Sequence, residues 1–446
     1  MGISATVASF RSAGQRLGQA LLSQSGKEYR PLPGPEGSLV DFSPNKNLCA
    51  MDYTVELKDG YKLWMKRIYK GNPEYPPKDG RKVAVLIHGY AENGNIFRLD
   101  QDGEILNLEE VVSAANRLAD EGYDVFIPHF WGKRFQKRYV ENFYGPDIPQ
   151  LPTANVSFDH IVQWDMPRVM DRIQEIVEDD NLNANLIGHS CGGDFVYAYQ
   201  GFSQDPRVKK ILTQGAPVGL DSKTPLTPRI LAANWVTTSL GLLERTPFDL
   251  ASEYMDLITY FMSRTPRPLM KYLPGSGIIF SDDVSNDVLH GFFRRVTETI
   301  SPNITMFFAQ MQMTGRFASL REASPEELIA WLNDFHHVPI IAYAIELLRL
   351  AHMVKPISYQ PGADLEELNY GELMGAIEVP AHIVAGSADK LIPPDCVFPA
   401  VDLLGTRPEL IFTEELLGTS HLGLVVSHRV DPWARVIEFL GRDFSR

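Results

Sequence analysis

Three cysteines in 446 residues are too few to staple a fold, and Cys49, Cys191 and Cys396 cannot all pair with one another. Their spacing matches no metal site, so neither a disulfide scaffold nor a metal module is expected, and a reducing compartment is the simpler reading. The chain also lacks any run of about eighteen apolar residues, the length a membrane-spanning helix needs. Its N-terminus lacks the compact apolar stretch and small-residue cleavage site of a secretory signal. Together these absences predict a cytoplasmic protein. Positive charge is in deficit as well: 42 Lys and Arg against 56 Asp and Glu leave a net charge of -14. Nucleic-acid binding needs clustered cations that displace phosphate counterions, so that partner is excluded and neutral or apolar ligands are expected.

What the chain does have is an ordinary globular composition, 44% hydrophobic and 22% charged, sufficient for one large core or two moderate ones. Met1 to Thr6 fits the loose pattern for acylation of Gly2. Behind it Val7, Phe10, Leu17, Leu21 and Leu22 share one face of a short helix, with Arg11 and Arg16 opposite. That face reads first as a packing arm and second as an interfacial anchor. Residues 30 to 47 hold several Pro and Gly without periodicity, the pattern of a linker. Residues 1–48 are therefore expected to be an arm and linker.

Tyr53 to Leu57 and Tyr61 to Ile68 alternate apolar and polar residues around Lys58, Asp59 and Gly60, which predicts a hairpin with a tight Gly turn. The later runs Val83 to Ile87, Asp124 to Ile127, Ala184 to Ile187, Val208 to Thr213 and Ala381 to Val384 lack alternation, as strands covered on both faces do. Helical patterns at Leu108 to Glu121, Met166 to Glu178 and Asp194 to Gly201 fall between them. The fold class is therefore α/β, a mostly parallel doubly wound sheet. From about Leu220 to Asn369 the rhythm turns helical, at Pro228 to Glu244, Leu250 to Met262, Val288 to Phe307 and Pro325 to Met353. Strands resume at Ala381 and at Leu410 to Phe412. The expected organisation is a core over 49–220, a helical lid or cap inserted over 221–370, and the rest of the core over 371–446. Trp235, Leu240, Leu242, Leu243, Tyr260, Phe261 and Met262 read first as the block's own core. Any of them that faces the site would make its pocket apolar.

The stretch Gly188-His189-Ser190-Cys191-Gly192 follows a strand and precedes a helix, the context in which a G-x-S-x-G turn carries a nucleophile. A sharp strand-to-helix turn lifts the Ser190 hydroxyl off the sheet edge, and glycine on either side avoids clashes there. The Cys191 backbone N–H is then a candidate donor to the oxyanion of a tetrahedral intermediate. A second donor is expected from the strand end Ile87-His88-Gly89-Tyr90, where the Tyr90 N–H is the candidate and His88 a structural residue holding the loop. A triad on such a sheet runs in the order serine, acid, histidine. Asp389 follows the strand at Ala381, with Asp395 as fallback, and His421 lies in the loop Gly418 to Gly423 near the C-terminus. His421 would take the Ser190 proton while Asp389 fixes its tautomer. His428 reads as a helix-surface residue, and the neighbours His336 and His337 lack the carboxylates or cysteines of a metal site. No metal or cofactor is expected.

With those residues in place, the chain resembles the acid lipase group of α/β-hydrolases, the family of the lysosomal and gastric lipases. Tyr53 to Ile68 with Asp59-Gly60-Tyr61 is similar to the family's N-terminal hairpin, and Ile87 to Tyr90 to its oxyanion strand end. Ala115 to Val125 resembles its second crossover, Ser157 to Pro167 the segment before the nucleophile helix, and Ile383 to Ile392 its acid turn. The resemblance spans roughly residues 50 to 220 and 375 to 445 and implies lid-covered hydrolysis of carboxylic esters. Where the family has Asn-Ser-Arg-Gly after its second crossover, Pro128 to Arg134 stands here, so that wall of the site is rebuilt. A weaker resemblance is to the polyhydroxyalkanoate synthases, whose Gly-x-Cys-x-Gly-Gly turn is echoed with Ser190 in place of the cysteine. The expected activity is hydrolysis of esters with a hydrophobic, lipid-like acyl group. Acyl transfer, or polyester synthesis or depolymerisation, on the same triad is the alternative. The expected partner is a small-molecule or lipid ester. Peripheral membrane contact through the N-terminal helix or lid, and the oligomeric state, stay open.

Overall fold

The computed structural model describes residues 37, 39–78, 81–90, 92–99, 108, 113–130, 156–220, 282–297, 304, 307–308, 310–311, 314–319 and 365–444. The Gly2 acylation pattern, the N-terminal helix, most of the expected lid (including the segments at 228–244, 250–262 and 325–353), residues 131–134, and His336 and His337 lie outside the described residues.

The strands are β1 Leu39–Ser43, β2 Leu48–Glu56, β3 Lys62–Lys70, β4 Lys82–Ile87, β5 Asp124–His129, β6 Asn183–His189, β7 Val208–Gln214, β8 Ala381–Gly386 and β9 Ile411–Leu416. They form one sheet in the order β1-β2-β3-β5-β4-β6-β7-β8-β9. The first three are antiparallel to their neighbours, and every pair from β5 to β9 is parallel. The β2–β3 hairpin turns over Lys58–Gly60, with Gly60 at φ +78°, a conformation that costs a side chain strain. β1 lies inside the stretch read as linker. It is a short edge strand with Leu39 and Phe42 part-exposed, so it carries neither the buried run nor the clean alternation that marks a strand.

Both faces of β4, β5, β6 and β8 are covered, which explains their apolar runs, whereas β9 at the parallel edge is part-exposed. Val83, Val85 and Ile87 of β4 pack with α2 (Met166–Val177) and α3 (Cys191–Ser203). Ala84 and Leu86 point the other way, towards α1 (Ala114–Asp120), α4 (Asn286–Arg295) and α5 (Pro432–Gly441). α1 starts later than the periodicity suggests, because the Ser113 side chain caps it by accepting the Asn116 N–H at 3.3 Å. α2 is preceded by Phe158–His160 and one widened turn over Ile161–Asp165. Pro167 supplies the cause, since it has no N–H for the carbonyl four residues back and its ring crowds that carbonyl. The helix expected over Val288 to Phe307 ends at Arg295. There Thr297 turns back, its N–H on the Phe292 carbonyl at 3.1 Å and its hydroxyl on the Phe293 carbonyl at 2.9 Å.

The chain leaves β4 to form β5 on one side of it, then returns to form β6 on the other. That reversal opens a crevice at the carboxyl ends of β4 and β6, the place where open α/β sheets bind ligands.

Candidate active site

Ser190 stands in that crevice, between the end of β6 and the first residue of α3, at φ 54° and ψ -129°. A non-glycine residue held at positive φ costs about 1–3 kcal/mol, so its surroundings must impose it. They do. The Ser190 N–H donates to the Gln214 carbonyl of β7 at 2.8 Å, and the Ser190 carbonyl accepts the Gly193 N–H at 2.8 Å. A Cβ at Gly188 would collide with the Gly192 carbonyl, and one at Gly192 with the Ile87 carbonyl of β4. Both glycines of the motif are thus demanded by backbone packed against backbone. Cys191 holds the first position of α3, where a helix leaves its N–H groups without intrahelical partners. Its thiol is fully buried and pushed well above the usual cysteine range, by burial first and by the charges of Asp194 and Glu92 after it.

The strand order brings the other predicted residues to the same edge. Gly215, one residue past β7, donates its N–H to the Val384 carbonyl of β8, and a Cβ on it would lie 3.3 Å from Cε1 and Nδ1 of His421. The His421 ring stands 4.9 Å, centroid to centroid, from that of His189, the residue before Ser190. His421 Nδ1 meets Asp389 Oδ2 at 2.7 Å, while Asp389 Oδ1 accepts the N–H groups of Leu391 and Ile392 at 2.9 and 2.8 Å. Burial alone would push the His421 pKa down; Asp389, and after it Glu92, outweigh burial and raise it above the ordinary value. The fallback Asp395 is exposed on the short helix Pro394–Val397. His428 is exposed too, but in a bend rather than on a helix, its N–H tied to the Asp283 carbonyl at 3.0 Å.

On the β4 side, a Cβ at Gly89 would lie 2.9 Å from Ser190 Cβ, so the loop that carries Tyr90 touches the Ser190 elbow directly. Tyr90 packs its ring edge-on against Phe308. His88 Nε2 accepts the Phe130 N–H at 3.0 Å, which leaves Nδ1–H to donate to the Gly89 carbonyl at 3.0 Å. Burial lowers its pKa, consistent with a neutral ring that holds the loop. Two residues that the motif reading passed over also belong to this site, Glu92 and His189. His189 fills a free position of the motif, and Glu92 stands only three residues past Gly89. An acid so close to the strand end expected to supply the second oxyanion donor is the available signal.

The family model described as alpha/beta hydrolase fold matches residues 82–264. Over 159 residues the chain is 30% identical to gastric triacylglycerol lipase of Mus musculus, covering 36% of each chain. It is 29% identical to triacylglycerol lipase 2 of Arabidopsis thaliana over 143 residues, covering 32% of this chain and 31% of the relative. To lysosomal acid lipase/cholesteryl ester hydrolase of Homo sapiens it is 24% identical over 188 residues, 40% of this chain and 43% of the relative. The match thus spans less than half the length of each relative.

Proposed function

We propose, from the premise that this chain carries the α/β-hydrolase fold and is related to the acid lipases, that it is a serine hydrolase cleaving carboxylic esters with a hydrophobic acyl group. Ser190 attacks the ester carbonyl as His421 takes its proton, and Asp389 holds the imidazole in the required tautomer and stabilises its charged form. The oxyanion is received by the N–H groups of Cys191 and Tyr90. His421 then gives its proton to the leaving alcohol, and water repeats the sequence to free the acid. The observation that carries this reading is the buried His421–Asp389 pair at 2.7 Å beside a serine held at positive φ. The hydrophobic acyl group is supported by the relatives, whose names specify triacylglycerol and cholesteryl esters.

The test is a series of p-nitrophenyl esters of rising acyl length, assayed with the wild type and Ser190→Ala, together with labelling of Ser190 by a fluorophosphonate. Turnover is expected to rise with chain length and to fall by about 10⁴- to 10⁶-fold in the variant. A wild type that neither labels at Ser190 nor loses activity on its replacement overturns the mechanism.

A further inference from the structure

Glu92 has no place in the mechanism above, yet its carboxylate is buried at the centre of the site. Its Oε2 accepts the Gly89 N–H at 2.9 Å and meets His189 Nδ1 at 3.2 Å. The other ring nitrogen of His189 lies 3.1 Å from the His421 carbonyl oxygen. Both partners of that ring are acceptors, so a ring with two protons makes both hydrogen bonds and a ring with one makes only one. Gly89 is thus gripped at both its peptide groups, the N–H by Glu92 and the carbonyl by His88. Because the Gly89–Tyr90 peptide is trans, a carbonyl aimed at the His88 ring turns the Tyr90 N–H away from it.

We infer that Glu92 is a positioning residue of this site: through the Gly89 N–H, and through His189 to the His421 carbonyl, it holds the loop after β4 and the His421 loop in one register about Ser190. The inference rests on the reading of the site as an ester hydrolase. Its charge acts beyond its contacts. Among the described residues, the groups facing His421 are Asp389 on the loop after β8, Glu92 on the loop after β4 and His189 at the end of β6. Asp283 sits on the neighbouring Ser420 N–H, while the charge of Glu92 also reaches His88 and Cys191 of α3, the latter under the charge of Asp194 as well. In that set Asp389 and Glu92 are the carboxylates that hold the His421 proton on.

The test uses Glu92→Gln, which keeps an acceptor for the Gly89 N–H and removes the charge, and Glu92→Asp, which keeps the charge at shorter reach. In Glu92→Gln the His421 ring, followed by NMR without substrate, is expected to titrate at lower pH. The acid limb of kcat/KM should move with it, because a base that loses its proton more readily stays active further into acid. In Glu92→Asp the limb should stay near the wild type while kcat falls about 10- to 100-fold at unchanged KM, as a displaced oxyanion loop and base would give. An unmoved His421 titration in Glu92→Gln, or wild-type kcat in Glu92→Asp, overturns the inference. Should Glu92→Gln not fold, the kcat of Glu92→Asp decides. The titration needs no turnover, so a wild type that neither labels at Ser190 nor loses activity on its replacement defeats the proposed function, and an unmoved titration defeats only the role of Glu92.

Discussion

At the scale of single residues, the site combines side chains whose surroundings push their protons in opposite directions. His421 is pushed towards the charged form by carboxylates, whereas Asp194, on the first turn of α3, is pushed well above the carboxylate range by burial alone. Neither oxygen of the Asp194 carboxylate has a hydrogen-bond partner among the described residues, so ionising it in the fold is costly. The sign follows. An acid whose folded pKa lies above its unfolded value of 3.8 binds its proton more tightly in the folded state. Stability is therefore greatest below that value and declines as pH rises towards the folded pKa. Asp194→Asn removes this titration, so its melting temperature relative to the wild type should climb between about pH 4 and pH 8. A difference that stays flat across that range would show that Asp194 does not titrate with folding.

At the scale of elements, the antiparallel edge is tied to the parallel sheet by charge as well as by its ladder. Arg67 of β3 reaches Asp124 at the start of β5 with two donors, Nε to Oδ1 at 2.9 Å and Nη2 to Oδ2 at 2.6 Å, and both side chains are 1% exposed. One residue earlier Lys66 pairs with Asp52 of β2, also buried. Removing one member of a buried pair strands the other charge, so Asp124→Asn is expected to cost about 3–5 kcal/mol in urea unfolding. A loss below about 1 kcal/mol would mean that hairpin and sheet are held by the β3–β5 ladder and apolar packing without the ion pair. On the far side of the sheet, Lys210 of β7 donates to the Leu440 and Arg442 carbonyls at 2.7 and 2.6 Å, closing the end of α5. Burial draws the Lys210 pKa down to about 8.

At the scale of the molecule, described residues between β7 and β8 contact the candidate site from two sides. Asp283 accepts the Ser420 N–H at 3.0 Å, next to His421, and a Cβ at Gly423 would run into its carboxylate. Asn93 and Asn95, on the loop after β4, donate to the Arg295 carbonyl at the end of α4 at 3.1 and 3.3 Å. Further along, Phe307 stacks on Phe158 at 3.9 Å, and Asp159 accepts the hydroxyls of Ser319 and Tyr370 at 2.5 Å each. Residues 282–297 therefore bridge the loop after β4 and the His421 loop. Asp283→Ala leaves the Ser420 N–H buried without that partner. It should lower stability by about 1–3 kcal/mol in denaturant and lower kcat on a p-nitrophenyl ester. Wild-type kcat in a destabilised variant would confine Asp283 to folding. Among the described residues no helix is long and apolar enough to cross a membrane.

Much of this is legible in the sequence, because it is written in local pattern. Strands buried on both faces must be apolar throughout, so β4 to β8 declared themselves. The Ser190 elbow was equally plain, since its two glycines answer to backbone packing that no other residue allows. The order of Ser190, Asp389 and His421 followed from the chain itself. An exposed edge strand such as β1 has no such constraint and stayed hidden, and the break after Arg295 depends on a threonine folding back rather than on periodicity. Which carboxylates reach the site was decided only by the tertiary structure. Asp389 and Asp395 are alternatives in sequence, and the loop after β8 turns only the first towards His421. Glu92, Gly89, His189 and His421 come together because the β4 and β6 strand ends lie side by side and β6, β7 and β8 pair in parallel. That proximity is a property of strand order, and strand order is set by how the whole chain packs.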